Sequence, residues 1–305
     1  MAQASPTNLR LIYLKLVTTA FIWGGTFIAG RIAVQTLGAF TAAFLRFAIA
    51  SFCLILVVWQ VHGHVPKLQN DQRWAVIALG LTGIFGYNAL FFGGLQTVEA
   101  GRASLIIALN PVAIALGAAL IFKAPLTRTK SIGIVISLLG ALWVISKGSL
   151  QTLGSSLLND GAETLGWGEL MLIGCVISWM SYTLIGKAVM RDLSPLVASA
   201  YACWAGSVML LPVALHEGLW QALLSIRLSA LASVLYLGVL GSAVGFCWYY
   251  DGLKAIGPAQ ASAFINLVPV SAIVLAAVVL REHLTPSIAI GANMVIRGVS
   301  VTNRS

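Results

Sequence analysis

Apolar positions in this chain neither alternate with polar ones nor recur at the spacing of a half-buried surface helix. They come in long blocks without charge. Such runs occupy Leu16–Gly30, Phe47–Pro66, Trp74–Val98, Ala103–Phe122, Ser131–Ser146, Leu170–Gly186, Leu193–His216, Leu228–Tyr250, Ala255–Leu280 and His283–Ile296. About 20 mostly apolar residues cover the hydrocarbon core of a bilayer as a helix. Most runs reach that length unaided, and the shorter ones are flanked by Lys or Arg, whose stems extend to the headgroups. The pattern predicts about ten transmembrane helices. A membrane β-barrel would instead need alternating segments of about ten residues, and none is present. The predicted fold class is an all-α polytopic membrane protein.

Composition agrees with the pattern. Hydrophobic residues make up 59% and charged residues 9% of the chain, where a soluble domain carries about 25% charged residues. A net charge of +9 suggests nucleic acid until the basic residues are placed. Ten helices with the N-terminus inside put Arg10, Lys15, Lys67, Arg73, Lys123, Arg128, Lys130, Lys187, Arg191, Lys254, Arg297 and Arg304 on the cytosolic side. The other face receives Arg31, Arg102, Lys147, Arg227 and Arg281, and Arg46 lies within a span. Twelve against five is the positive-inside bias. The charge is thus accounted for by the bilayer, with no role for nucleic acid, and both termini are expected in the cytosol, beneath the inner (plasma) membrane. Six acids, Glu99, Asp160, Glu163, Glu169, Glu217 and Glu282, fall on the outer side. Cys53, Cys175, Cys203 and Cys247 sit in apolar runs without CxxC spacing, as small buried hydrophobes do. The first apolar stretch lacks a convincing cleavage site and is expected to be the first span.

The chain also repeats itself. Residues 79–140 align without a gap to 237–298, with 18 of 62 positions identical. The informative pairs are Gly80/Gly238, Gly83/Gly241, Gly94/Gly252, Gly133/Gly291, Gly140/Gly298, Ser104/Ser262 and Pro111/Pro269, with Leu126-Thr127 matching Leu284-Thr285. Upstream, at an offset of 156, Trp23 meets Trp179, Gly30 meets Gly186 and Arg31 meets Lys187. The expected units are residues 1–147 and 168–305, joined by a Gly/Ser/Asn-rich outer linker over 148–167. Five helices per unit is an odd number, so the second unit enters the membrane inverted. Inverted repeats mark secondary transporters, which bind at the repeat interface near the midplane.

These residues resemble the drug/metabolite transporter superfamily, in its ten-helix EamA-type branch. Residues 21–33, FIWGGTFIAGRIA, resemble its first-helix signature, and Leu45-Arg46-Phe47 resembles its second. The mid-helix prolines followed by Leu-Thr and a glycine-spaced helix resemble the end of each repeat, as does Arg281-Glu282-His283-Leu284-Thr285. The chain departs from the pattern at Lys123-Ala124-Pro125, where the branch places an acid, and at Arg297 in the last helix. Within the superfamily the chain is most similar to YddG-type exporters of aromatic amino acids. The resemblance implies two inverted five-helix repeats around a central cavity, lined mainly by helices 1, 3, 4, 6, 8 and 9.

No Asp or Glu lies mid-span, and His62, His64, His216 and His283 are near span ends or in loops. Proton carriage through a buried carboxylate is therefore disfavoured. Arg46 is the strong intramembrane charge, about two turns into the second helix. It could hold a substrate carboxylate, or it could bond backbone carbonyls or snorkel. The peripheral place of helix 2 in the resembled branch favours a structural role. Pro111 and Pro269 free carbonyls near Ile107 and Ile265 and are candidate hinges. The candidate substrate-binding residues are Trp23, Tyr87, Asn88, Asn110, Trp179, Tyr182, Trp248 and Asn266, all at mid-membrane depth. Trp59, Trp74, Trp143, Trp167 and Trp220 are expected as interfacial anchors. An aromatic, uncharged lining suits a zwitterion with an apolar side chain and suits a sugar phosphate poorly.

Enzyme signatures are missing: His216-Glu217 is not followed by the spacing of a zinc hydrolase, and there is no G-x-S-x-G elbow or P-loop. No cofactor or metal is expected. The function expected is export of a small molecule, an amino acid or related metabolite, by alternating access. Proton-coupled drug or metabolite efflux is the alternative, and a sugar-phosphate or nucleotide-sugar exchanger a more distant one. The orientation is open to test by labelling with a membrane-impermeant reagent. A thiol at Ser156 should react from outside and one at Thr302 only after permeabilisation; the reverse order contradicts the orientation.

Overall fold

The computed structural model describes residues 6–123, 126–146, 148, 166–189, 193–256 and 264–303. The expected linker, 148–167, lies outside them except for Gly148, Gly166 and Trp167, so Ser156 cannot be placed. Lys147, Asp160, Glu163, Arg191 and Arg304 of the charge distribution, Ser262 of the repeat, and Ala124 and Pro125 also lie outside.

Every regular element among the described residues is helical. In order these are α1 (Pro6–Val34), α2 (Ala39–His62), α3 (Asn70–Leu79), a π-helical segment (Gly80–Gly86), α4 (Tyr87–Thr97), α5 (Ala100–Ile107), α6 (Asn110–Phe122) and α7 (Arg128–Ile145). The second half follows with α8 (Trp167–Val189), α9 (Pro195–Glu217), α10 (Leu219–Leu224), α11 (Leu228–Leu235), a second π segment (Tyr236–Val244), α12 (Gly245–Ile256), α13 (Leu267–Val279) and α14 (Pro286–Asn303). Among the described residues, eight helical stretches are long and apolar enough to cross a membrane. The apolar α13 and the 18-residue α14 complete the polytopic bundle. Large apolar side chains such as Phe52, Leu120 and Val278 lie on the exterior, where lipid tails are their natural solvent. Trp59, Trp74, Trp167 and Trp220 are exposed, but Trp143 is half-buried beside Gly148.

Local chemistry explains the ends of these helices. Ser194 accepts from the Val197 N–H ahead of Pro195 in the first turn of α9, and Thr127 does the same for Lys130 on α7, each satisfying an orphan donor. Gly63 and Gly218 close α2 and α9 with φ of 72° and 103°, a left-handed cap that favours glycine. At Pro111 the helix stops at Ile107, turns, and restarts at Asn110. This puts the proline in a first turn, where no N–H is missed.

The halves are tied by contacts that recur with the halves exchanged. A Cβ on Gly80 would meet Ala205 and the Ala202 carbonyl at 3.0 and 3.1 Å. Gly238, its repeat partner, faces Ile49 and the Arg46 carbonyl, the latter at 2.9 Å; Ile49 and Arg46 are the counterparts of Ala205 and Ala202. The Ser51 and Ser207 hydroxyls, one repeat apart, meet at 3.3 Å. On α7 and α14, Gly133 faces the Gly298 carbonyl and Gly298 the Gly133 carbonyl, each at 2.7 Å, while Gly140 and Gly291 face each other's carbonyls at 3.1 and 3.0 Å. Small residues let membrane helices approach backbone to backbone. Lys123 and Arg281, also repeat partners, both end their helices with positive φ, 50° and 56°.

Ion pairs join the halves at both ends of the bundle. At one end Arg31 pairs with Glu282 at 3.8 Å, and that carboxylate accepts from the Ala100 and Gly101 N–H groups at the start of α5 at 2.9 and 3.1 Å. Arg102 pairs with Glu169 at 3.0 Å, and Glu217 caps α2 through Phe40 and Thr41. At the other end Lys15 pairs with Asp251 at 2.7 Å. Thr302 is buried against Gly133, so the exposed loop residue His64 is a better labelling position for its end of the bundle. The α7–α14 contact has a direct consequence for stability. Gly298→Val should cost about 1–3 kcal/mol, the usual range for overpacking, read as a lower melting temperature of the purified protein, whereas Val278→Ala on the lipid face should change it little.

Candidate substrate site

The interior between the halves is built on the two π segments. A π turn displaces carbonyls from the regular ladder, and such turns concentrate at functional sites. Here the displaced groups take donors from the opposite half. Ser178 Oγ donates to the Thr82 carbonyl at 2.7 Å, and Trp23 Nε1–H donates to the Gly241 carbonyl at 3.0 Å. Glycines at both segments admit these partners: Ser178 Oγ lies against Gly86 and Trp23 against Gly245, and the Tyr182 ring lies against Gly83.

Four of the eight candidate residues come together around Tyr87. Its ring is 5.3 Å from Trp179 and stacks on Phe91 at 5.9 Å. Trp179 stacks on Tyr182 at 5.0 Å, and Asn88 follows Tyr87 in the chain, 1% exposed. The row continues through Phe91 to Phe27 at 5.3 Å. Trp23 belongs to a second group across the interface, with Phe246 at 6.1 Å and Tyr249 at 5.3 Å. Trp248 is half-buried on α12, and its neighbour Tyr249 takes the ring position beside Trp23. Asn110 and Asn266 stand at the starts of α6 and α13. The Asn110 Oδ1 is buried and has no hydrogen-bond partner among the described residues.

Arg46 lies in the same interior. It is 9% exposed, its guanidinium 4.9 Å from the Phe47 ring centroid. Nη1 donates to Asn88 Oδ1 at 3.2 Å and Nε donates to Ser242 Oγ at 3.3 Å. Asn88 Nδ2 in turn donates to the Ile84 carbonyl at 2.9 Å, and Ser242 Oγ to the Leu237 carbonyl at 3.0 Å. The amide of Asn88 is therefore engaged at both ends. Phe246 and Tyr249 were not among the candidates from sequence, although their pairing with Trp23 could have been sought in the repeat alignment, where Gly245 stands opposite Tyr87. The partners of Arg46 lie 42 and 196 residues away and leave no local signal. Cys175 and Cys203 are buried and free, and among the described residues no three His, Cys, Asp or Glu side chains gather as metal ligands. A surface crevice of about 450 Å³, lined by Lys67, Arg73, Tyr201 and Trp204, lies apart from these rings.

An all-helical bundle with polar and aromatic groups enclosed where its halves meet is a membrane transporter in architecture. The chain belongs to the EamA-like transporter family, whose profile matches it twice, over residues 10–146 and 166–304. It is 29% identical to the uncharacterized transporter YyaM of Bacillus subtilis over 94% of this chain and 92% of that protein. It is 30% identical to a probable terminal-alkyne amino-acid exporter of Streptantibioticus cattleyicolor over 95% of this chain and 92% of that protein. A solved crystal structure shares the fold, with a TM-score of 0.63 at 19% identity over 96% of this chain and 97% of its own. If the Tyr87 ring serves a ligand, Tyr87→Phe should cost no more than about 1 kcal/mol of stability in a thermal melt, because the ring contacts remain and only one hydroxyl is removed. A large fall would make the phenol a structural group.

Proposed function

We propose that the protein exports neutral amino acids, aromatic ones included, across the inner membrane by alternating access, with both termini in the cytosol. The observation that carries this reading is the ring-lined interior between the halves, with Trp179 in ring contact with both Tyr87 and Tyr182 and no carboxylate among the described residues that line it. Stacked or edge-on rings contribute about 0.5–1.5 kcal/mol per well-oriented pair. An amino acid with an apolar side chain can take the place of one ring partner as the halves part. Trp23, Trp248, Asn110 and Asn266 border the path, and the Asn110 Oδ1 is available to an ammonium group. The helix restarts at Pro111 and near Pro269 act as hinges, since the regular helical ladder is already interrupted there and Leu109 is held by a turn bond to the Ile106 carbonyl at 3.1 Å. The family relative that exports a terminal-alkyne amino acid supports the substrate class.

Coupling rests on the same interior. With no carboxylate among the described lining residues, flux follows the substrate gradient. In proteoliposomes, counterflow of labelled L-phenylalanine or L-leucine should proceed with little response to an imposed pH gradient. Accumulation driven by a proton gradient alone would establish the proton-coupled alternative, with Glu99, Asp251 and Glu282 the first acids to replace. Trp179→Ala should lower counterflow about three- to tenfold, the equivalent of one or two ring contacts, with membrane expression maintained. Unchanged flux in alanine variants of Trp23, Tyr87, Trp179 and Tyr182 alike would place the path elsewhere.

A further inference from the structure

We propose that Arg46 recognises the carboxylate of the transported molecule, with Asn88 and Ser242 as positioning residues that hold the guanidinium between the halves. This deepens the amino-acid reading above and rests on it for the identity of the substrate, but not for the chemistry of the site.

Two ordinary reasons for an arginine in a span do not apply. The side chain does not snorkel, being 9% exposed and seven residues in from Ala39, about 10 Å at the helical rise. It does not saturate a broken helix either, since its hydrogen bonds go to two side chains that are themselves bonded to carbonyls. Nor does a carboxylate among the described residues neutralise it. The ion pairs among the described residues join Lys15 to Asp251, Arg31 to Glu282 and Arg102 to Glu169, all elsewhere. A buried cation without an anion is among the most costly arrangements in a protein interior. Its two neutral acceptors stand at 3.2 and 3.3 Å, longer than the roughly 2.7–2.9 Å of a bond to a carboxylate. Five N–H donors in one plane leave a fork unused, and a carboxylate fits that fork with two parallel bonds.

The repeat supplies an independent argument. The scaffold contacts recur with the halves exchanged, but this trio does not. The counterparts of Arg46, Asn88 and Ser242 are Ala202, Phe246 and Ile84. Packing demanded by a twofold bundle would appear on both sides; a site for one end of an unsymmetrical molecule would appear on one. Ser242 belongs to the second half and Asn88 to the first, so the guanidinium is held by both bodies that move. Tyr87, adjacent to Asn88, brings the ring cluster beside it, which sets an apolar side chain next to the carboxylate.

The test uses the full chain, purified and reconstituted, with matched probes: L-phenylalanine, L-phenylalaninamide and 3-phenylpropionate. Wild-type protein should be stabilised against heat by the two carboxylates, with the amide weaker by about tenfold or more in apparent affinity. Arg46→Met should lose that preference while its melting temperature without ligand stays level or rises, because an unpaired buried charge has been removed. Arg46→Lys should keep the preference at weaker affinity, and it decides the matter together with the wild-type comparison if Arg46→Met does not fold. Equal response to acid and amide, no response to any carboxylate, or an Arg46→Met variant that melts lower yet keeps the preference would each overturn the proposal. A response to 3-phenylpropionate that depends on Arg46, with none to any amino acid, would leave the carboxylate site standing and reject the amino-acid reading.

Discussion

The two halves of this protein are held at distances that only glycine permits. Lipid tails are as apolar as leucine, so membrane helices associate through close packing and hydrogen bonds and gain little from hiding apolar surface. At Gly133 and Gly298, and again at Gly140 and Gly291, backbone meets backbone with room for no side chain. Gly80 and Gly238 do the same where each π segment crosses a helix of the other half. Everything in the interior depends on this approach. Trp23 reaches the Gly241 carbonyl, the Tyr182 ring lies on Gly83, and Arg46 spans from Asn88 to Ser242 because the helices bearing them have no bulk between them.

A scaffold that repeats its contacts with the halves exchanged suits the alternating access proposed above, in which related motions open either side. Its substrate has no such symmetry. On the reading proposed above, recognition falls to positions where the halves differ: Arg46 opposite Ala202, Tyr87 opposite Gly245, Asn88 opposite Phe246. The ends of the bundle differ as well. Glu282 ties Arg31 and the start of α5 together at one end, whereas its repeat counterpart is Ala124. The two ends are thus tied by different chemistry on similar backbones.

Much of the fold was legible in the sequence because bilayer thickness is a strong constraint and charge-free runs register it directly. The glycine pairs of the repeat were legible as identities, and the structure shows their use as helix contacts. Interior detail was harder to read. A π segment inserts an extra residue in a turn and rotates the phase of the helix beyond it, so that Tyr249, one position past Trp248, takes the place beside Trp23. The surroundings of Arg46 depend on residues from three separate helical stretches, and the expectation of a peripheral second helix gave no sign of them. Thr302, expected to be accessible, is buried because the glycine stripe draws α14 fully against α7.

The most direct test of a one-sided charge in a twofold scaffold is a structure with a carboxylate substrate bound. The result expected is a carboxylate about 3 Å from the Arg46 guanidinium, received by its planar fork, with the side chain of the ligand among Tyr87, Trp179 and Tyr182. A ligand bound elsewhere, with Arg46 still held only by Asn88 and Ser242, would contradict it.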